Sequence, residues 1–217
     1  MAIAYDNSLA QFNGTGATTH TISYTMGSVS NGVLVVGARV YDSGTISGTP
    51  TYAGSNLTAI NNQANGTDTQ YLYYILNPTA GANNLVFNLS ASKRLEIAVV
   101  SLSGVKQSAQ PDASGSNTAS STDANVTITT VAGNSWGVML ASDNGAGGAF
   151  TDGTNGTVRA SVSDRSGVYT TGPKTPAGSL TMHGTLGSSG TWFALAASFS
   201  PATATFNYAT TGTFNAV

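Results

Sequence analysis

The residues able to do acid–base or metal chemistry are few, and their spacing gives little to build on. The two histidines, His20 and His183, stand at opposite ends of the chain. On a strand, His20 shares a face with Ile22 and Tyr24, and His183 falls opposite Leu180 and Met182. Neither lies beside a carboxylate motif in sequence, so a satisfied or exposed histidine is the expectation for both. The acids are Asp6, Asp42, Asp68, Glu96, Asp112, Asp123, Asp143, Asp152 and Asp164. A glycoside hydrolase needs two carboxyls about 5–10 Å apart. Most of these aspartates fall in turn-like stretches, where they cap backbone N–H groups. Glu96 follows Lys93 and Arg94 and reads as a surface ion pair. No nucleophile elbow, His-Glu-x-x-His segment or phosphate loop occurs. The expectation is a protein without catalytic residues, cofactor or metal.

Two further groups bear on ligands. The glycine-rich run from Asp143 to Gly156 could offer calcium the oxygens of Asp143, Asp152 and Asn155. Its spacing matches neither the EF-hand nor the Gly-Gly-x-Gly-x-Asp repeat, and a glycine-rich surface loop is the reading adopted. Tyr71, Tyr73, Tyr74, Trp136 and Trp192 could stack on sugars if exposed. All five sit in apolar runs, where a core ring is the default. Tyr71 and Tyr73 share one strand face and Tyr74 takes the other, which leaves a glycan site open as a second reading.

Composition narrows the class. Hydrophobic residues make up 40% of the 217, enough for a packed core, whereas charged residues are only 7%. Globular proteins average roughly 25% charged. Charge normally keeps monomers apart and blunts sheet edges, so its scarcity fits a surface suited to permanent assembly and equally a soluble extracellular-type β domain. Seven scattered Lys and Arg make no basic face for nucleic acid. There is no cysteine for a disulfide or a thiolate. Met1-Ala2-Ile3-Ala4-Tyr5-Asp6 has no basic or long apolar leader, which leads to an expectation of cytoplasmic synthesis without a signal peptide. No run approaches the ~18 apolar residues of a membrane helix.

The elements that would position these residues are strands. Val33–Tyr41 follows a Ser30-Asn31-Gly32 turn and places Leu34, Val36, Ala38 and Val40 on one face; the other face turns polar at Arg39. Strands are also predicted over Gln70–Leu76, Asn84–Ser90, Leu95–Leu102, Asn125–Val131, Ser135–Ala141 and Thr191–Phe199. Shorter candidates are Thr19–Tyr24, Thr51–Tyr52, Thr58–Asn61, Val158–Val162, Val168–Thr171, Leu180–Gly184 and Thr203–Tyr208. No segment sustains a 3.6-residue period. Many short strands predict an all-β, antiparallel, jelly-roll-like sandwich. Its expected core includes Val36, Leu85, Phe87, Ile97, Val99, Ile128, Val138 and Leu195. Gln107–Ala124 reads as a polar crossing between two halves of one domain, a two-domain split being the other option.

The order of NGVLVVGARVYDS, PTYAGSNLTAI, QYLYYILNPTAGANNLVFNLSA, LEIAVVSLSGVKQSAQPDA and GTWFALAASFSP resembles a β-sandwich type of tailed-phage virion proteins, also seen as bacterial surface modules. The resemblance runs from Thr19 to Pro201 and departs at Ala53-Gly54, where the family's hairpin often has two glycines. It implies a displayed structural module of the virion, foremost a capsid decoration (cement) subunit, and otherwise a fibre or tail component with a host-adhesion role. It further implies a homo-oligomer, with a trimer as the suggested form, and partners such as a major capsid protein. The chain accordingly divides into an N-terminal arm (1–16), a sandwich domain (17–201) and a C-terminal arm (202–217). The arms carry Ile3, Tyr5 and Phe12 at one end and Phe206, Tyr208 and Phe214 at the other. That is too aromatic for solvated tails, so both arms are expected to add to neighbouring subunits, or else to pack on their own domain as edge strands.

Overall fold

The computed structural model describes residues 1–144, 148–162 and 165–203. Among them there is no helix, and the chain folds into two antiparallel sheets that pack face to face as a β-sandwich. The first sheet holds β1 (Ala4–Met26), β2 (Val33–Val40), β3 (Thr51–Tyr52), β4 (Ser55–Asn56), β5 (Thr58–Asn65), β6 (Asp68–Leu76) and β7 (Gly81–Ser103). The second holds β8 (Ala113–Thr129), β9 (Trp136–Asp143), β10 (Phe150–Asp152), β11 (Thr157–Val162), β12 (Ser166–Thr170) and β13 (Ser179–Phe199).

The two halves of the chain repeat one topology. In the first, β7 pairs with β1 along one edge and with β3 and β2 along the other; β6 and β5 follow beyond β2. In the second, β13 pairs with β8 on one edge and with β10 and β9 on the other; β12 and β11 follow beyond β9. The registers correspond. Val36 lies between Val99 and Tyr73, as Met139 lies between Ala196 and Tyr169. Asn31 before β2 and Asn134 before β9 both turn with positive φ, 52° and 64°, a conformation asparagine tolerates better than most residues. Contacts across the sandwich match too, β1 packing on β11 and β8 on β5.

Each half is more than a flat sheet. The β1–β7 ladder shifts register between Asn13 and Thr19, and the β8–β13 ladder between Thr185 and Gly190. Such irregularities bend a strand pair, and here the near ends fold over their own sheet. The near ends of β1 and β7 bring Ile22, Tyr24, Leu85 and Phe87 onto Leu34, Val36, Ile97 and Val99 to make a first core. A third core, built from Val126, Ile128, Met139, Tyr169 and Trp192, does the same in the second half. Between them the facing sheets bury Val33, Val35, Val100, Leu102, Val138, Leu140, Leu195 and Phe199. The core residues expected from sequence are all buried, but distributed over these three layers. The two halves share the middle layer.

Several boundaries differ from expectation. Asn84–Ser90 and Leu95–Leu102 are one strand, β7, because the polar residues between them mark a bend and not a turn. Leu180–Gly184 and Thr191–Phe199 are likewise one strand, β13. Gln107–Ala124 is a crossing only as far as Asp112; from Ala113 it is β8, exposed on both faces through Ser116–Ser120. The N-terminal arm takes the edge-strand option: from Ala4 it is part of β1, and Tyr5–Asn13 pair with Leu95–Leu102 of the same chain.

Gly37 marks how closely the sheets approach. A Cβ there would overlap the Leu140 side chain of the facing sheet. Gly37→Val should therefore lower stability by about 1–3 kcal/mol through overpacking, read as a lower urea midpoint at unchanged slope.

Candidate functional site

The middle layer is not apolar along its whole length. Period-2 alternation in β2 sends Val33, Val35 and Gly37 to the facing sheet, and the next residue on that face is Arg39. The same face carries Gln70 and Asp68 on β6, Glu96 and Arg94 on β7, Ser142 on β9 and Ser166 on β12. One end of the layer thus becomes a charged cluster. Of a chain with 7 Lys and Arg, Arg39, Arg94 and Arg165 meet here around one ring. Their guanidinium carbons lie 4.4, 4.8 and 6.0 Å from the centroid of Tyr41.

Arg39 is buried and holds the halves together. Its Nε and Nη2 donate to Asp68 Oδ2 at 3.0 and 2.6 Å. Its Nη1 donates to the Asp143 carbonyl at 2.6 Å and Nη2 to Asn144 Oδ1 at 3.2 Å, both in the second half. Phe193 of β13 lies beneath the guanidinium, 5.2 Å away. Gln70 Nε2 donates to Ser142 Oγ at 2.7 Å. Glu96 is 1% exposed. It accepts from Tyr41 Oη at 2.5 Å and from the Ser166 hydroxyl across the sandwich. Burial pushes its carboxyl above the usual carboxylate range, against the pull of Tyr41 and the arginines. Burial, reinforced by Glu96, also raises the Tyr41 phenol, which stays a donor. Arg94 and Asp42 form a bidentate pair at the exposed rim, with Arg94 Nη2 3.0 Å from Asp42 Oδ2. Arg39, Tyr41, Asp42, Asp68, Arg94 and Arg165 help to wall an open cavity of about 510 Å³.

Glu96 was expected at the surface beside Arg94 and Lys93; instead it points into the sandwich, because its face is the one that packs on the second sheet. His20 is buried, with Nε2 donating to the Lys93 carbonyl at 2.9 Å and Nδ1 3.3 Å from Asn13 Nδ2. His183 has a carboxylate partner that sequence did not reveal, Asp123, at 2.8 Å. Asp143 is buried at the end of β9, and Asp152 Oδ1 accepts from the Val158 N–H at 2.6 Å. Asn155 donates from Nδ2 to the Thr181 carbonyl. Among the described residues no three His, Cys, Asp or Glu side chains cluster as a metal site. Of the five aromatic candidates, Trp192 and Tyr73 are core and Tyr74 donates to the Gln110 carbonyl. Tyr71 stacks on Tyr73, and Trp136 packs on the middle core.

Of the arm residues, Ile3 is buried in the middle core, Tyr5 is 38% exposed and Phe12 packs edge-on against Tyr41. Phe206, Tyr208 and Phe214 lie outside the described residues. Comparison with protein-family models, with curated proteins and with solved structures finds no match for this chain.

Two measurements probe the cluster. Arg39→Leu leaves Asp68 buried without its partner and should cost about 3–5 kcal/mol, whereas Arg94→Gln breaks an exposed pair and should cost at most about 1 kcal/mol; urea unfolding compares them. Glu96 gives a pH signature. With its folded pKa above the unfolded value, the folded state holds the extra proton. The contribution is complete below the unfolded pKa of about 4.3 and is lost as pH rises toward the folded value. The stability of wild type relative to Glu96→Gln should therefore fall as pH rises through that window and level off above it.

Proposed function

We propose that this protein works by assembly, as a virion structural protein of the capsid decoration kind, joining neighbouring subunits through its sheet edges. The observation that carries the reading is the state of those edges. The edge strands are β1, β4 and β5 in one sheet and β8, β10 and β11 in the other. Edges are usually blunted by lysine, proline, outward charge, bulges or brevity. Here β4 and β10 are short, and the ladders of β1, β5, β8 and β11 carry register shifts, which leaves the unshifted residues 113–121 of β8 as the longest regular edge. These strands contain no lysine or proline, and their charges are Asp6, Asp123, Asp152 and Arg159. Each is turned to a partner within the chain. Asp6 accepts from Gly27 N and Ser101 Oγ, Asp123 pairs with His183, Asp152 accepts from Val158 N, and Arg159 covers the ring of Tyr5. The virion setting rests on the family resemblance in the sequence.

The chain ends add support. The N-terminal ammonium donates to the Ala202 carbonyl at 2.7 Å. Beside it lies a cavity of about 450 Å³ lined by Ile3, Trp136, Pro173 and Pro201; residues 204–217, outside the described residues, carry Phe206, Tyr208 and Phe214. Their aromatic side chains suit an arm that seats on a neighbour.

Sedimentation velocity tests the reading. The full chain should sediment as a closed homo-oligomer and bind capsids of its own phage. Ala119→Lys, in the exposed stretch of β8, or truncation after Thr203 should shift it toward monomer with unchanged circular dichroism. A wild-type monomer with no affinity for particles overturns the reading.

A further inference from the structure

The cleft at the charged end of the middle layer lies apart from the edges invoked above and has the make-up of a ligand site. Its volume, about 510 Å³, falls within the range of small-molecule pockets. Among the described residues that line it, the guanidiniums of Arg39, Arg94 and Arg165 stand against the carboxylates of Asp42 and Asp68. Asp143 is buried and is not part of the wall. Glu96, behind Tyr41, is shifted by burial toward its neutral form.

Three features go beyond what joining the halves requires. Asn65 lines the cavity, and its Nδ2 is buried with no hydrogen-bond partner. A buried amide left so is costly unless an acceptor arrives. Arg165 lies against the rings of Phe12 and Tyr41, at 5.1 and 6.0 Å. One of its N–H groups hydrogen-bonds Tyr41, and a guanidinium carries five, so donors remain for a ligand. Asp42 and Ser43 both adopt positive φ, 58° and 60°, a conformation that non-glycine residues avoid and that recurs at ligand clamps.

We propose that this cleft binds an acidic sugar, a uronic or sialic acid unit of a larger glycan. Its carboxylate sits on Arg165 and Arg94, and its hydroxyls are shared between the Asn65 amide and the Asp42 and Asp68 carboxylates. The mixture of groups selects this class. A simple anion has no use for two carboxylates in the wall, and a neutral sugar has none for the guanidiniums. Recognition is polar and does not use ring stacking, because Arg39 and Arg94 already lie over Tyr41.

The test is a titration of the full chain, followed by NMR, with sodium galacturonate, sodium N-acetylneuraminate, galactose and sodium acetate. One of the two acidic sugars should saturate and shift the Asn65 side-chain amide, with galactose and acetate weaker by about ten-fold or more. Arg165→Gln and Asn65→Asp should each weaken that binding by about ten-fold or more while amide dispersion elsewhere stays native. If Arg165→Gln does not fold, Asn65→Asp decides. The proposal is overturned if neither acidic sugar saturates, if acetate binds as well as the sugar acid, or if a folded variant binds like wild type. The titration is independent of sedimentation, so the cleft and the assembly reading fail separately.

Discussion

Strand β2, strand β9 and the far halves of β7 and β13 are buried on both faces, and a strand so placed has no freedom of register. A slip of one residue in β2 would exchange Leu34, Val36 and Ala38 with Val33, Val35 and Gly37. Gly37 would then leave the one position where Leu140 needs the space. The middle layer therefore fixes how the halves meet. The outer cores follow, because each half has only to curl its long hairpin over the strands the middle layer has set. The bends in β1 with β7 and in β8 with β13 fall where the apolar pattern lapses.

That constraint also accounts for the charged cluster. The middle layer ends where period-2 alternation brings Arg39, Glu96, Gln70 and Ser166 onto the face that had been valine and leucine. Charges are costly there unless paired, and the network meets the requirement by crossing the sandwich. Arg39 reaches the Asp143 carbonyl and Asn144, Gln70 reaches Ser142, and Ser166 reaches Glu96. These bonds demand one relative position of the sheets, which Val35 and Leu195 alone would specify loosely. Specificity of packing is the structural part of the cluster; the open cavity outside Arg39 is the part that packing does not require.

The strands were legible because apolar alternation is local. Val36, Ile97 and Val138 could be placed in a core from their neighbours alone. What alternation cannot supply is what lies over the second face. Arg39 marked the polar turn of β2, yet nothing near it in sequence identifies Asp143 or Asn144 as its partners. Glu96 is hidden from the sequence for the same reason: Lys93 and Arg94 are its neighbours in sequence, Tyr41 and Ser166 in space. The repeated topology leaves a trace in the sequence, in Ser30-Asn31-Gly32 before one central strand and Gly133-Asn134-Ser135 before the other. A closer trace is the shared Ser-Leu-Ser-Gly and Ser-Phe-Ser-Pro ends of β7 and β13. Glycine and serine substitutions elsewhere blur that repeat. Phe87 packs on Tyr73 in the first half, whereas the second has Gly184, with the Tyr169 ring filling the space a side chain would take.

Scarcity of charge and its location are one fact seen twice. With 7% charged residues, a protein that gathers Arg39, Arg165, Asp68, Glu96 and Asp143 at one end of its middle layer, with Arg94 and Asp42 on the rim of that end, has few left for its sheet edges. The edge strands consequently present threonine, serine, asparagine and glycine, side chains that accept a neighbouring backbone without the desolvation cost of an ion. Because the halves share a topology, β1 and β8 hold equivalent edges, yet they are not equivalent in cover. Ser8 of β1 donates to the Arg159 carbonyl of β11 at 2.8 Å, which draws that edge toward the opposite sheet. Both edges touch the opposite sheet, β1 at β11 and β8 at β5, but Ser116–Ser120 of β8 stay exposed on both faces, which leaves that stretch the edge most open to a second chain.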